Sequence, residues 1–152
     1  MKNFRKLSKN KGFTLIEILV VIGIIAVLAA IVIIAINPAR QFAQARNSQR
    51  TANVNAILNA IGQNIADNKG TTCVALPSSA TVIKNSGGVD LSCLVPNYIS
   101  QLPFDPSATG AHWASSSDYD TEYKVIQDAT TKRITVDASV GQELSQTITL
   151  TR

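Results

Sequence analysis

The chain has 152 residues, which is enough for one compact domain and a membrane segment but too few for two sizeable domains. Its net charge of +4 is uneven, because five basic residues fall within the first 12 positions and the remainder has a slight acidic excess. The part after Gly70 has 5 basic and 8 acidic side chains, which excludes a strongly basic surface for nucleic-acid phosphates there.

Residues 1–12 form a short basic stretch that ends at Gly12. Polarised basic tails of this kind usually serve as an address or an anchor. A basic flank before an apolar segment also predicts that the N-terminus stays in the cytoplasm and that the chain after the segment is exported. An ordinary secretory signal peptide is the weaker alternative, because its apolar region has about 7–15 residues and ends at a small-x-small cleavage site.

Residues 13–36 predict a membrane-spanning helix. From residue 18 to residue 36 the sequence I-L-V-V-I-G-I-I-A-V-L-A-A-I-V-I-I-A-I contains no charged or polar side chain, and a helix of this length crosses a hydrocarbon core of about 30 Å. Glu17 stands immediately before this run. Since a charge within a bilayer helix costs about 3 kcal/mol, Glu17 is expected to have a partner or a function.

Residues 37–69 predict an amphipathic continuation of the helix. Asn37-Pro38 interrupts the apolar run and predicts a kink, because proline removes a helix hydrogen bond. Apolar residues then recur every three or four positions and predict one buried stripe, with Gly70 as the cap at the end. The same segment contains Arg40, Arg46 and Arg50 and no acid before Asp67, and its asparagine and glutamine content predicts that the other face is solvated but weakly charged. The stripe consists of Val54, Ile57, Leu58, Ile61 and Ile65.

Residues 70–152 predict a β-rich domain that packs on this stripe. Three alternating runs, at residues 123–127, 133–137 and 147–151, indicate an antiparallel meander. Residues 77–118 are rich in turn-forming residues and are expected to be mostly loop, with a short helix possible near residues 96–102. The predicted fold class is therefore α+β, a long N-terminal helix packed on a small antiparallel sheet. The apolar positions expected to cover the stripe are Val125, Ile134, Val136, Ile148 and Leu150.

Two cysteines, Cys73 and Cys93, lie beyond the apolar run. In an oxidising exterior, two cysteines without a competitor most simply form one disulfide, and two reduced thiols are the alternative.

The stretch K-G-F-T-L-I-E, residues 11–17, after a basic leader and before an apolar helix, resembles the class III signal of type IV pilins and of the pseudopilins of type II secretion systems. This resemblance implies that a prepilin peptidase removes residues 1–12 by cutting between Gly12 and Phe13. The same enzyme would methylate the new amine of Phe13. Glu17 would pair with the Phe13 amine of a neighbouring copy and set the register of a filament.

The resemblance also implies the partners and the location. The partners would be other copies of the chain in a helical polymer, the peptidase-methyltransferase, pilus or secretion assembly machinery and membrane lipid. The chain would cross the inner membrane once before assembly, with its N-terminus inside, and would later form a surface or periplasmic filament. A pilus subunit is the first interpretation. A secretion pseudopilin or a DNA-uptake pilin, which would contact nucleic acid, is the alternative, and a membrane-anchored binding domain is the rival from another class.

Patterns for catalysis or cofactor binding are not found in the sequence, so that no enzymatic activity and no cofactor are expected. His112 stands beside Trp113 and is expected to be a surface or packing residue. Asp118, Asp120 and Glu122 alternate as calcium ligands can, but a solvated acidic turn is the favoured interpretation.

Overall fold

The computed structural model describes residues 12–152, so that the predicted leader lies outside the described residues except for Gly12. The chain divides into two compact units, Met1–Pro38 and Ala39–Arg152, and each is described by itself.

The first unit contains α1, Leu15–Ile36, a helix of 22 residues with a mean hydropathy of 3.5 in its most apolar window. At 1.5 Å per residue α1 is about 33 Å long, so that by length and composition it could cross a membrane. None of its side chains is buried against the rest of residues 12–152. The helix ends where Asn37 adopts the left-handed conformation, with φ of 48°.

The next helix, α2, Pro38–Asp67, has 30 residues, all of which except Pro38 belong to the second unit. Proline is tolerated at the first helical position because its missing N–H would have no intrahelical partner there. The sequence predicted a kink at Asn37-Pro38, and the structure has a one-residue break between two helices at this point. After α2, Gly70 has φ of 92° and its N–H donates a hydrogen bond of 2.8 Å to the carbonyl of Ile65, as expected of a helix cap.

Among residues 12–152, five strands form one antiparallel sheet, with the order β1-β3-β4-β5 and with β2 also paired to β3. The predicted meander is confirmed, since β3, β4 and β5 pair in sequence order and Val125 lies opposite Val136, which lies opposite Leu150. The strands are β1 Thr81–Lys84, β2 His112–Ser115, β3 Asp118–Gln127, β4 Ile134–Asp137 and β5 Thr149–Thr151.

The sequence interpretation of residues 77–118 as mostly loop was wrong where β1 and β2 form. Each has only four residues and neither alternates cleanly between apolar and polar side chains, so that pairing with β3 and not local pattern defines them. The acidic residues from Asp118 to Glu122 lie in β3 and not in a turn. The helical turn in this region is a 3₁₀ segment, Ser92–Leu94, earlier than the possible helix at 96–102.

The core lies between α2 and one face of the sheet, as predicted. Four residues of the stripe are buried and Ile65 is partly buried against them. The α+β fold class is therefore confirmed. The sheet contributes Val125, Ile134 and Val136 to this core, Ile148 joins it from the position just before β5, and Leu150 is partly buried against it.

Cys73 and Cys93 are joined by a disulfide, with an S–S distance of 1.99 Å. This bond connects the stretch after α2 to the 3₁₀ segment, at a sequence separation of 20.

Candidate assembly and processing site

Gly12 and Phe13 precede α1 at exposed positions outside regular secondary structure. A Cβ atom built at Gly12 would meet no atom of the described residues within 4 Å. Packing against residues 13–152 therefore does not require glycine at position 12. A requirement for glycine at this position would come from a molecule that binds the segment, such as a processing enzyme that needs close access to the backbone.

Thr14 and Glu17 form a capping box at the start of α1. The backbone N–H of Glu17 donates to Thr14 Oγ1 at 3.2 Å, and the backbone N–H of Thr14 donates to Glu17 Oε2 at 2.7 Å. The Thr14 hydroxyl also donates to Oε2, at 2.8 Å. These bonds satisfy backbone donors that a helix start leaves without intrahelical partners.

The capping box changes the interpretation of Glu17. From the sequence, Glu17 was expected to pair with the amine of a neighbouring copy, whereas the structure also gives it a partner within its own chain, Thr14. The sequence T-L-I-E carries the signal, because threonine followed by glutamate three residues later is the capping-box pattern. Both bonds from Thr14 end on Oε2, so that Oε1 is the oxygen that a donor from another molecule would reach.

The surface of α1 is apolar around its whole circumference. Its large side chains from Leu15 to Ile36 are all at least half exposed in the isolated chain. A helix of this kind is stable only where lipid or other apolar helices surround it. The N-terminal unit therefore presents a long apolar surface with one carboxylate at its beginning.

A second polar cluster lies in the C-terminal unit, centred on Arg50 of α2. Arg50 and Asp105 are both almost completely buried, and the guanidinium makes two bonds to the carboxylate, Nε to Oδ2 at 2.7 Å and Nη2 to Oδ1 at 3.1 Å. Arg50 Nη2 also donates to Ser107 Oγ at 2.6 Å. Arg50 was not predicted to be buried, although it lies four residues before Val54, and its ion pair offsets the cost of burying the guanidinium.

Glu143 extends this cluster to the loop between β4 and β5. Arg46 Nη2 lies 2.6 Å from Glu143 Oε1, and Arg50 Nη1 lies 3.2 Å from Oε2. The Asn47 side chain donates to the Glu143 carbonyl at 2.8 Å. Asp105 also lies against the same loop, because a Cβ at Gly141 would overlap its carboxylate. Arg46, Asn47 and Arg50 thus hold two loops that are distant in sequence.

The pKa values of both acids reflect these contacts. Burial acts to raise the pKa of Asp105, but bonds from Arg50 and from the N–H groups of Ser107 and Ala108 outweigh burial and hold the pKa below its usual value. The hydrogen bonds from Arg46 are the main cause of a lowered pKa at Glu143. Both side chains are therefore anionic at neutral pH.

His112 and the acidic residues of β3 do not come together as a metal site. Nε2 of His112 lies 3.2 Å from Asp118 Oδ1, and Nδ1 lies 2.6 Å from the Gly110 carbonyl. Asp120 accepts a hydrogen bond from the N–H of Glu122 and lies 3.8 Å from Lys84 Nζ. Within residues 12–152, no group of three or more histidine, cysteine, aspartate or glutamate residues is arranged to hold a metal ion.

Residues 7–36 match a family model, the prokaryotic N-terminal methylation motif. No curated protein and no solved structure matches the chain. The matched range contains Gly12, Phe13, the capping box and all of α1. The chain therefore carries a class III prepilin signal, the N-terminal motif of type IV pilins and pseudopilins.

Proposed function

We propose that the protein is a structural subunit of a type IV pilus-type filament. A peptidase of the membrane removes residues 1–12 and methylates Phe13, and the mature subunits polymerise with α1 in the filament core. The observation that carries this proposal is the match of residues 7–36 to the methylation motif, on a helix that is apolar all round. A secretion pseudopilin would use the same processing and the same helix.

The capping box supports processing after Gly12. Cleavage there creates an amine at Phe13 and leaves the N–H of Thr14 as an ordinary amide, so that both bonds of the capping box can persist. The new ammonium would lie one residue before Thr14, close to the start of the helix. Because Thr14 uses Oε2 of Glu17, a neighbouring copy could bring its Phe13 ammonium to Oε1 without breaking the box.

Pairing between copies would make Glu17 a register device. A carboxylate among apolar helices is costly unless it is paired, so that the arrangement in which each Glu17 meets an ammonium is favoured over other registers. The C-terminal unit would then lie outside the membrane, where a disulfide between Cys73 and Cys93 persists.

Intact-mass analysis of the membrane fraction, and of sheared filaments, tests processing. The expected species begins at Phe13 and carries one additional methyl group. A chain that begins at Met1, or at any position after α1, would contradict the proposal. Glu17→Leu tests assembly: it should be inserted and cleaved as the wild type is, but should not polymerise. Ile18→Leu at the next position is the matched control and should polymerise normally.

A further inference from the structure

The loop between β4 and β5 contains two consecutive residues in the left-handed backbone conformation. Leu144 has φ of 57° and Ser145 has φ of 53°. The N–H of Gln146 donates a hydrogen bond of 3.2 Å to the carbonyl of Glu143, so that the two residues are the centre of a four-residue turn. Positive φ at both central positions is the pattern of a type I′ turn. Elsewhere in residues 12–152, non-glycine residues with positive φ occur singly.

Leucine and serine are poor residues for this turn. The central positions of type I′ turns are dominated by glycine, asparagine and aspartate, because the Cβ atom of most residues comes too close to the following carbonyl oxygen in the left-handed conformation. Burial does not compensate for this crowding, since Leu144 is 48% exposed. Contacts made by other residues must therefore offset the strain of the turn.

Asn47 of α2 binds both ends of the turn. Its Nδ2 donates to the Glu143 carbonyl at 2.8 Å and to Gln146 Oε1 at 3.1 Å. Asn47 is itself buried, and its Oδ1 accepts a hydrogen bond of 2.7 Å from Arg50 Nη1. The turn is therefore bound to an amide group that the helix holds in a fixed position.

The Glu143 carboxylate adds charged contacts between the turn and α2. It accepts three hydrogen bonds from Arg46, at 2.6, 2.8 and 3.0 Å, and one of 3.2 Å from Arg50. Hydrogen bonds that involve ionised groups are roughly twice as strong as those between neutral groups. None of these bonds ends on Leu144 or Ser145, so that the strained pair is held in place through its neighbour.

The rest of the loop has little bonding of its own. Within the part of the chain that the structure describes, the turn bond of Gln146 is the one backbone–backbone hydrogen bond made by residues 139–147, and none of these residues is buried. At the base of the loop, the N–H of Ala138 donates to the carbonyl of Ile148 at 3.0 Å, and both residues are buried. The base therefore belongs to the folded sheet, whereas residues 139–147 depend on their contacts with α2.

We propose that residues 139–147 form a strained clasp that opens and closes as a unit while α2 and the sheet stay folded, and that the Glu143 carboxylate holds the clasp closed. This inference concerns the C-terminal unit alone and does not depend on the proposed function. Opening relieves the strain at Leu144 and Ser145 and breaks the hydrogen bonds from α2. Strain and ion pairing therefore oppose each other in the clasp, and opening requires no loss of core packing.

Opening of the clasp uncovers the ion pair of Arg50 and Asp105. A Cβ at Gly141 would overlap the Asp105 carboxylate, so that the closed clasp lies directly against this pair. Glu143 is also bound to Arg50. The clasp therefore controls the access of water and of other molecules to a charged cluster inside the C-terminal unit.

Cleavage of the Glu143–Leu144 bond by thermolysin tests opening. Thermolysin cuts before large apolar residues, and cleavage of a folded protein reports the population of a locally open form. The full-length protein in detergent is digested, and each rate is divided by the rate for a peptide of residues 138–149 with the same substitution, which corrects for local sequence. We expect this bond to be cut while α2 and β3 stay intact. Cleavage within α2 or β3 at the same rate would overturn the proposal.

Glu143→Gln tests which group holds the clasp closed. Glutamine has nearly the same size as glutamate but no charge, so that the charged contacts with the two arginines are lost. We expect the corrected rate of cleavage before Leu144 to rise by about tenfold or more, with no change in α2 or β3. Glu122→Gln, the same change in β3, is the matched control and should leave the rate unchanged. An unchanged rate in Glu143→Gln, or an equal rise within α2 and β3, would overturn the proposal.

Ser145→Gly tests the strain with a variant that should fold at least as well as the wild type. Glycine adopts the left-handed conformation without steric cost, so that the closed clasp should be more populated and the corrected rate of cleavage should fall by about fivefold. Ser145→Ala retains the Cβ atom and is the matched control, which should not slow cleavage. Equal rates for the glycine and alanine variants would show that the turn is not strained and would overturn the proposal.

Discussion

Arg50 and Asp105 form a two-pronged ion pair that is almost entirely removed from solvent, with their closest atoms 2.7 Å apart. The residues are 55 positions apart in sequence, one in α2 and the other in the loop before β2. Planar guanidinium and carboxylate groups match each other in this geometry and fix orientation as well as distance. The pair therefore fixes the loop at residues 103–108 in one position on the helix.

Removing one partner of this pair should be strongly destabilising. Asp105→Asn leaves the buried guanidinium of Arg50 without its main counter-charge, and we expect the free energy of unfolding to fall by about 3–5 kcal/mol. Urea unfolding of the full-length protein in detergent, followed by the fluorescence of its single tryptophan, measures this loss. Asp118→Asn, at an exposed carboxylate, is the matched control and should change stability by less than about 0.5 kcal/mol. Equal stability of the two variants would contradict the importance of the buried pair.

Acid should weaken the fold through the same cluster. In the unfolded chain aspartate and glutamate titrate near pH 4, and in the folded chain the pKa values of Asp105 and Glu143 are lower. Between the folded and the unfolded pKa values, the unfolded state binds more protons than the folded state. The two carboxylates therefore contribute their full stabilisation above about pH 5, and this contribution is lost as pH falls through the folded pKa values. Urea unfolding at a series of pH values should show this decline. Below about pH 4, the free energy of unfolding should fall less steeply with decreasing pH in the Asp105→Asn/Glu143→Gln variant than in the wild type. An equally steep fall in both would contradict the role of these two carboxylates in acid sensitivity.

Thr14→Val separates capping from pairing between copies. Valine has the shape of threonine without the hydroxyl, so that this variant loses the side-chain cap but retains the Glu17 carboxylate. Loss of an N-cap costs about 1 kcal/mol of helix stability. We therefore expect Thr14→Val to reduce filament yield only modestly, whereas Glu17→Leu should abolish it. Yields of sheared filaments measure both, and equal losses would show that Glu17 acts only as a cap.

Loss of the disulfide should destabilise the C-terminal unit by about 3 kcal/mol, because the bond closes a loop of roughly 20 residues in the unfolded chain. Cys73→Ser/Cys93→Ser in the full-length protein tests this in urea. Both cysteines are at exposed positions, so that a reductant should reach the bond. The reduced wild type should therefore unfold at the same urea concentration as the double serine variant. A reductant that leaves the midpoint unchanged would contradict a structural role for the bond.

Tyr119→Phe should lower the free energy of unfolding, because it leaves the buried backbone N–H of Leu91 without a hydrogen-bond partner. The Tyr119 hydroxyl donates to Asp90 at 2.8 Å and accepts a bond of the same length from the backbone N–H of Leu91. Phenylalanine would leave that N–H without its acceptor, and we expect a loss of about 1–3 kcal/mol in urea unfolding followed by circular dichroism. Tyr98→Phe, at a half-buried ring, is the same chemical change elsewhere and should cost less.

The sequence predicted the elements whose pattern is local. The stripe from Val54 to Ile61 follows the helical period, and β3 and β4 alternate, so that each could be recognised from a short window. The prepilin signal is also contiguous, which is why residues 11–17 could be recognised without a structure. The capping box of Thr14 and Glu17 belongs to this class as well, although its sequence signal was overlooked.

The elements that were missed depend on contacts between distant residues. Arg50 has the same local surroundings as a solvated arginine, and only the fold brings Asp105 and Glu143 to it. β1 and β2 are short, and they are strands because both form backbone hydrogen bonds to β3, which has ten residues.

Gly141 has a consequence for the strength of the Arg50–Asp105 pair. Its φ is not in the left-handed region, yet a methyl group at this position would overlap the Asp105 carboxylate, so that glycine is needed for space alone. Gly141 therefore allows the backbone to shield the pair from water. Since the attraction between two charges falls as the surrounding dielectric constant rises, a side chain that lifted this loop would weaken the pair without touching either charged residue.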